Sequence, residues 1–128
     1  MTTNLPLDLN LPSMQEMLDT VYDHFITKGN PPSFVLTDNG RTICRYRGPN
    51  GTKCAFGIFI PNELYTFEME GHGPESIVKM HEISFKHFCN SLQRCHDDAA
   101  IRRDSGFKTV MINNLLELAR IRNLTLPA

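Results

Sequence analysis

The chain has 128 residues, 41% of them hydrophobic and 21% charged, and thirteen lysines and arginines against fourteen acidic residues leave a net charge of −1. This length suits one domain with its own core, and the charge balance argues against a protein whose whole surface binds nucleic acid or an acidic membrane. No apolar run approaches the ~20 residues of a membrane span, and the N-terminus lacks the basic start and apolar stretch of a signal peptide. We therefore expect a cytoplasmic protein that binds no membrane.

The first residues predict an extended arm over residues 1–12, followed by a single domain over residues 13–128. Apolar side chains alternate with polar ones or proline along this arm, and they are Leu5, Leu7, Leu9 and Leu11. Such alternation is typical of a segment with one face against a surface, either that of its own domain or that of a partner. An arm that exchanges between copies, or an open sheet edge, would make a homo-oligomer.

Three principal helices are predicted. The first runs from about residue 14 to residue 28, because Ser13 and Glu16 form a capping box and apolar residues then recur at helical spacing. A long central helix is expected from near Pro74, a favoured first-turn residue, to about Asp98. The last helix is expected from about Phe107 onward.

A β-hairpin is predicted within the stretch CRYRGPNGTKCAFGIFIP, which covers residues 44–61, with its turn at Pro49-Asn-Gly51. Residues 34–36 predict a short strand that ends at the turn signal Asp38-Asn-Gly40. In the hairpin, side chains at even positions would share one apolar face. These are Cys44, Tyr46, Cys54, Phe56, Ile58 and Ile60. The predicted fold class is α+β, a hairpin or small antiparallel sheet packed against the helices.

The opposite face of this hairpin is the first candidate binding site. Arg45 and Arg47 would stand above Ala55 and Gly57, whose small size would leave a shallow floor. Guanidinium groups suit bidentate contacts with phosphate or carboxylate, and Phe59 and Tyr65 would supply stacking surfaces. The alternative is a surface network in which these arginines pair with acidic residues downstream, namely Glu63, Glu68 and Glu70.

Charge is unevenly spread along the chain. Residues 61–84 carry five glutamates against Lys79, whereas residues 101–122 are basic. Arg102, Arg103 and Lys108 form a second candidate contact surface. The acidic and basic segments would attract one another, within one chain or between two copies, or would simply be solvated.

A metal site and a thiol nucleophile are the alternatives to a binding site formed by the arginines. Structural zinc takes four Cys or His ligands, and Cys44, Cys54, Cys89 and His96 would be the candidates, although their spacing does not match the usual close pairs. A thiol nucleophile with Cys54 and His96 is a further alternative. In a reducing cytosol the cysteines are expected to be buried thiols or ligands and not disulfides. The simplest interpretation has no metal and no cofactor.

The series Cys44-x-Tyr-Arg-Gly-Pro-Asn-Gly-x-Lys-Cys-Ala-Phe-Gly-x-x-Ile-Pro, followed by Tyr65, by Met69-Glu-Gly71 and by Leu92-Gln-x-x-His96-Asp97, covers about half of the chain. It resembles a family of small uncharacterised proteins of bacteriophages, prophages and some bacterial genomes. Phe56 and Phe59 stand where that family has aliphatic residues, and Asn62 stands where it has an acid. The resemblance implies a viral or mobile-element origin and no known activity.

The sequence favours a binding protein over an enzyme. The first hypothesis is a non-enzymatic phage-type accessory protein that inhibits or sequesters a host factor, for example in antagonism of bacterial immunity. Its partner would be a host protein or an anionic, nucleotide-like small molecule; the charge balance disfavours nucleic acid without excluding it. The second hypothesis is a small thiol- or zinc-dependent enzyme, or a zinc-stabilised domain, built on Cys44, Cys54 and His96.

Overall fold

The computed structural model describes residues 5–103 and 105–127, so the first four residues of the predicted arm lie outside the described part. Helix α1 spans Met14–Tyr22 and continues through a π-helical turn at Asp23–Thr27. Strand β1 spans Phe34–Leu36 and strand β2 spans Thr42–Cys44. Helix α2 spans Pro74–Ile77, α3 spans Ile83–Ala100 and α4 spans Phe107–Arg122. Short 3-10 turns lie at Pro49–Gly51, Phe56–Phe59, Asn62–Leu64 and Phe67–Met69.

The α+β prediction is confirmed: a two-stranded antiparallel sheet packs against the helices of one compact domain. The capping box of α1 is present, with the Glu16 N–H donating to Ser13 Oγ and the Ser13 N–H donating to Glu16 Oε1. Helices α3 and α4 share the most extensive contact between elements of the fold, and α1 contacts both. The core therefore sits between the three long helices, and the sheet lies at its edge against α3.

The predicted hairpin over residues 44–61 is wrong. Strand β2 ends at Cys44 and pairs with β1 through the turn at residues 38–40, so the hairpin lies earlier in the chain. Ala55 and Gly57, expected to leave an open floor, are instead buried. A Cβ on Gly57 would lie 2.6 Å from the Tyr46 carbonyl oxygen, so only glycine allows the 3-10 turn to pack on that backbone.

A helix begins at Pro74 as predicted, but the single long helix expected from there to about Asp98 is wrong, because the chain is interrupted before α3 begins at Ile83. Helix α2 is a single turn, and Val78 has extended dihedrals, φ −131° and ψ 136°. The N-terminal arm pairs with the chain at this interruption: the Leu7 N–H donates to the Ile77 carbonyl at 2.7 Å, and the Lys79 N–H donates to the Leu7 carbonyl at 2.8 Å. Leu7 is buried there, so the described part of the arm lies against its own domain. None of the helices in the described ranges has the length and apolar character of a membrane span.

Candidate functional site

A cavity of about 290 Å³ opens between the end of β2, the loop before α2 and one face of α3. Its side-chain walls come from the segments that carry the sequence motifs. They are Cys44, Arg45, Tyr46, Cys54, Glu70, His72, Gln93 and Asp97.

Helix α3 contributes a polar triplet to this region. Gln93, His96 and Asp97 stand at positions i, i+3 and i+4, which lie on one helix face. The Gln93 amide donates to Asp97 Oδ1 at 2.7 Å, and its oxygen accepts from the Phe56 N–H at 2.8 Å. Gln93 therefore ties α3 to the start of the 3-10 turn that replaces the predicted strand.

His96 is fully buried, and both of its ring nitrogens are in use. Nε2 accepts a hydrogen bond from the Ser33 backbone N–H at 3.0 Å, and Nδ1 lies 2.9 Å from Asp97 Oδ1. Because a backbone N–H can only donate, Nε2 must offer its lone pair. The neutral ring therefore carries its hydrogen on Nδ1 and donates it to Asp97.

The geometry also brings together three candidate metal ligands. The ligand atoms of Cys44, His96 and Asp97 lie within 4.8 Å of one another. A metal on His96 would have to replace the Nδ1 hydrogen while Nε2 still accepted from Ser33, which would require an imidazolate. Among residues 5–103 and 105–127, Cys54 and Cys89 do not join this group. The four-ligand set considered from the sequence is therefore not assembled here.

The thiols are held in the protonated form. Burial raises the pKa of Cys54, Cys89 and Cys95 to about 12. For Cys44, burial is again the largest cause, and the neighbouring Asp97 carboxylate raises the pKa further. Thiolate is the nucleophilic form, and His96 has no free nitrogen to accept a proton. This arrangement does not activate any of the four thiols.

The Arg47 guanidinium binds the backbone of its own chain. Its Nη1 donates to the carbonyls of Tyr46 at 3.1 Å and Gly57 at 2.7 Å, and its Nη2 donates to the Ile60 carbonyl. Nε and Nη2 also donate to Asn62 Oδ1, at 3.2 and 2.9 Å. These five bonds use all five N–H groups of the guanidinium. Arg47 thus occupies the space where the sequence predicted an open floor.

Glu70 binds the segment between the two arginines through the backbone of Tyr46 and Arg47. Its carboxylate accepts from the N–H groups of Tyr46 at 2.8 Å and Arg47 at 3.1 Å, and from the Tyr65 hydroxyl at 2.6 Å. Burial and this last bond raise the pKa of Tyr65 to about 12. Tyr65, predicted as a stacking residue, lies beside Arg47, whose guanidinium carbon is 5.3 Å from the ring centroid.

Arg45 is arranged differently. Its guanidinium carbon lies 5.0 Å from the ring centroid of Phe67, whose side chain is 67% exposed. Its backbone N–H donates to the Ser33 carbonyl at 3.2 Å, whereas its guanidinium makes no hydrogen bond to the part of the chain that the structure describes. Of the two predicted arginines, Arg45 is therefore the one whose guanidinium donors are not used by the described residues, and it lines the cavity.

The remaining predicted contact residues lie elsewhere. Phe59 packs against the core, 6.3 Å from Phe56 between ring centroids. Arg102, Arg103 and Lys108 are exposed around the turn that precedes α4, and Arg103 donates to the Gly40 carbonyl at 3.0 Å. The structure does not bring this basic surface to the cavity that Arg45 borders.

Sequence reasoning did not single out Ser33, Phe67 or Gln93 as site residues. The i, i+3, i+4 spacing of Gln93, His96 and Asp97 was a usable signal for one polar helix face. No local pattern marks Ser33 or Phe67, because their roles depend on residues far away in the chain. Comparison of the chain with protein-family models, with curated proteins and with solved structures gave no match in any of the three.

Proposed function

We propose that the protein is a non-enzymatic, phage-type accessory protein that binds and inhibits or sequesters a host factor in the host cytoplasm. The observation that carries this proposal concerns Arg45, which lines the cavity and whose guanidinium lies on the exposed Phe67 ring without a hydrogen-bond acceptor among the described residues. Arginine and aromatic side chains are the residue types that most often dominate the energy of protein interfaces.

The surface around Arg45 fits a protein partner. Phe67 supplies an exposed apolar ring to this surface, and Leu64, 40% exposed, precedes it by three residues in the chain. The guanidinium would bind a carboxylate of the host protein, since charge-assisted bidentate bonds are among the strongest polar contacts. The resemblance of residues 44–97 to phage and prophage proteins implies a viral origin, and antagonism of bacterial immunity is the role we propose. An anionic, nucleotide-like ligand would use the same guanidinium.

The alternative function is a thiol- or zinc-dependent enzyme. The proximity of Cys44, His96 and Asp97 is the observation in its favour. Against it stand the Ser33 N–H on Nε2 of His96 and the raised pKa of every thiol. We therefore prefer the binding function.

The test is capture from bacterial lysate on the immobilised protein, with mass spectrometry of the bound proteins and the released small molecules. Arg45→Ala is compared with Arg41→Ala, which removes an exposed arginine from the adjacent turn. We expect the wild type and Arg41→Ala to capture the same partner and Arg45→Ala to lose it at least about tenfold. Equal capture by Arg45→Ala, or nothing above the bare matrix, would reject the proposal.

A further inference from the structure

The acidic and basic segments do not neutralise one another within the chain. Ion pairs between full charges in the described ranges are local: Asp23 with Lys28, and Glu117 with Arg120. None joins residues 61–84 to residues 101–122 in that part of the chain. A contact between copies and solvation of both segments are therefore the two possibilities that remain.

The basic segment borders a cavity with an apolar floor. Its volume is about 200 Å³, which exceeds the space of six water molecules at about 30 Å³ each. Phe25, Phe107, Pro31 and Pro32 form the apolar walls, and Arg103 and Lys108 line the same cavity. Residues 102–108 carry three basic residues against one acidic residue. Such a cavity suits an aromatic ring with an acidic neighbour.

The chain itself presents such a group. Among the exposed large hydrophobic residues that the structure describes, Phe67 is the one aromatic residue, and 67% of its surface is exposed. Glu68 follows it directly and Glu63 lies in the preceding 3-10 turn; both are exposed. An exposed phenyl ring is a large apolar group that gains from burial in a matching pocket. The two carboxylates lie close to Phe67 in sequence, and the Arg45 guanidinium lies 5.0 Å from the ring centroid.

We propose that Phe67 of one copy inserts into this cavity of a second copy, with Glu68 facing Lys108. The contact joins two different surfaces of the molecule. If each copy inserts its Phe67 into the other, the result is a closed two-fold dimer; otherwise the copies form a cyclic or open-ended assembly. One aromatic anchor and one exposed charge pair make a weak association that salt weakens further. This inference goes beyond the proposed function and does not depend on Arg45 binding a host factor.

The test is sedimentation velocity of the purified full-length protein over a concentration series, at roughly 50 mM and roughly 500 mM salt. We expect self-association that falls with salt and is lost in Phe67→Ala. Glu68→Lys and Lys108→Glu should each weaken it at least about tenfold, and the double variant with both changes should recover it because the pair is restored with reversed sign.

Lys79→Glu is the matched control, since Lys79 is exposed and lies at neither surface; it should associate like the wild type. All the altered residues are exposed, and circular dichroism checks that each variant is folded. An NMR dilution series on the unaltered protein is an independent readout, in which amides of residues 64–68 and 103–108 should shift together. A wild type that stays monomeric at about 1 mM, undiminished association in Phe67→Ala, or a double variant no better than the single ones would overturn the proposal.

Discussion

The Ser33 backbone N–H donates a hydrogen bond to His96 Nε2 at 3.0 Å, although 63 positions separate the two residues in the chain. Both residues are fully buried, and the His96 ring lies against Phe25 and Phe107, with centroid distances of 5.4 and 6.0 Å. A histidine beside a cysteine and an aspartate would suggest a catalytic or metal-binding role if its hydrogen bond from Ser33 were not known. Its bond from Ser33 makes it a structural residue that joins α3 to the segment before β1.

His96→Ala should therefore destabilise the fold. It leaves the buried Ser33 N–H without an acceptor and a cavity between the two phenylalanines, and we expect a loss of about 2–4 kcal/mol in the free energy of unfolding. Urea denaturation measures this value. His87→Ala, at an exposed position of the same helix, is the control and should change it by less than about 0.5 kcal/mol. Equal effects of the two changes would contradict the structural role of His96.

The native thiols should be inert and zinc should not bind in stoichiometric amount. Raising the pKa of Cys54 from 9.0 to about 12 lowers its thiolate fraction near neutral pH by about a thousandfold. Iodoacetamide labelling followed by mass spectrometry should therefore modify all four cysteines slowly in the native protein and rapidly in urea. Elemental analysis after zinc addition and dialysis checks the metal. One fast thiol, or one zinc ion per chain, would restore the enzyme or metal interpretation.

Arg47→Ala should destabilise the protein by about 2–3 kcal/mol, because three backbone carbonyls lose a charged donor. Arg47→Lys should recover less than half of this loss, since an ammonium has three donors on a point charge and cannot reproduce the planar fork. Arg45→Ala is the matched comparison and should cost no more than about 1 kcal/mol, the range of an exposed cation–π contact. Equal unfolding midpoints for Arg45→Ala and Arg47→Ala would show that this division of roles is incorrect.

Removal of the arm should lower stability without changing assembly. Leu7 is buried and makes two backbone hydrogen bonds within its own chain, so Leu7→Ala should cost about 2 kcal/mol. Asp8→Ala, at the exposed neighbour, should have little effect. Light scattering of a variant without residues 1–11 should give the same number of chains per particle as the full chain. Fewer chains per particle after the deletion would instead indicate an arm that exchanges between copies.

Stability should fall at alkaline pH. Burial raises the pKa values of the thiols and of Tyr46 in the folded state, whereas the unfolded chain ionises them at ordinary values. Above about pH 8.5 the unfolded chain thus binds fewer protons than the folded one, and the stability present below that pH is progressively lost. The Tm should be several degrees lower at pH 10 than at pH 7.5. A Tm that does not fall over this interval would contradict the burial of these groups.

The helices were the most predictable part of the fold. The capping box at Ser13 and the apolar periodicities of α1 and α4 act over a few residues, so they can be read locally and the structure confirms them. The strand at residues 34–36 and the turn after it were predictable for the same reason. The segment after Cys44 was not predictable, because its alternating sequence pattern is that of a strand. The structure forms a turn there instead, in which Arg47 binds the carbonyls of residues 46, 57 and 60.

The features of the candidate site likewise fall into those that the sequence predicts and those that depend on the tertiary structure. The sequence by itself determined the α+β class, the first and last helices and the presence of two neighbouring arginines, because propensity, capping and periodicity are local interactions. Only the tertiary structure decided that Arg47 binds backbone carbonyls while the Arg45 guanidinium lies on Phe67. It also decided that the Ser33 N–H occupies Nε2 of His96, the nitrogen that a catalytic or metal-binding role would need. Donors and acceptors are satisfied by whichever groups the fold brings within about 3 Å, and that proximity depends on contacts between distant parts of the chain.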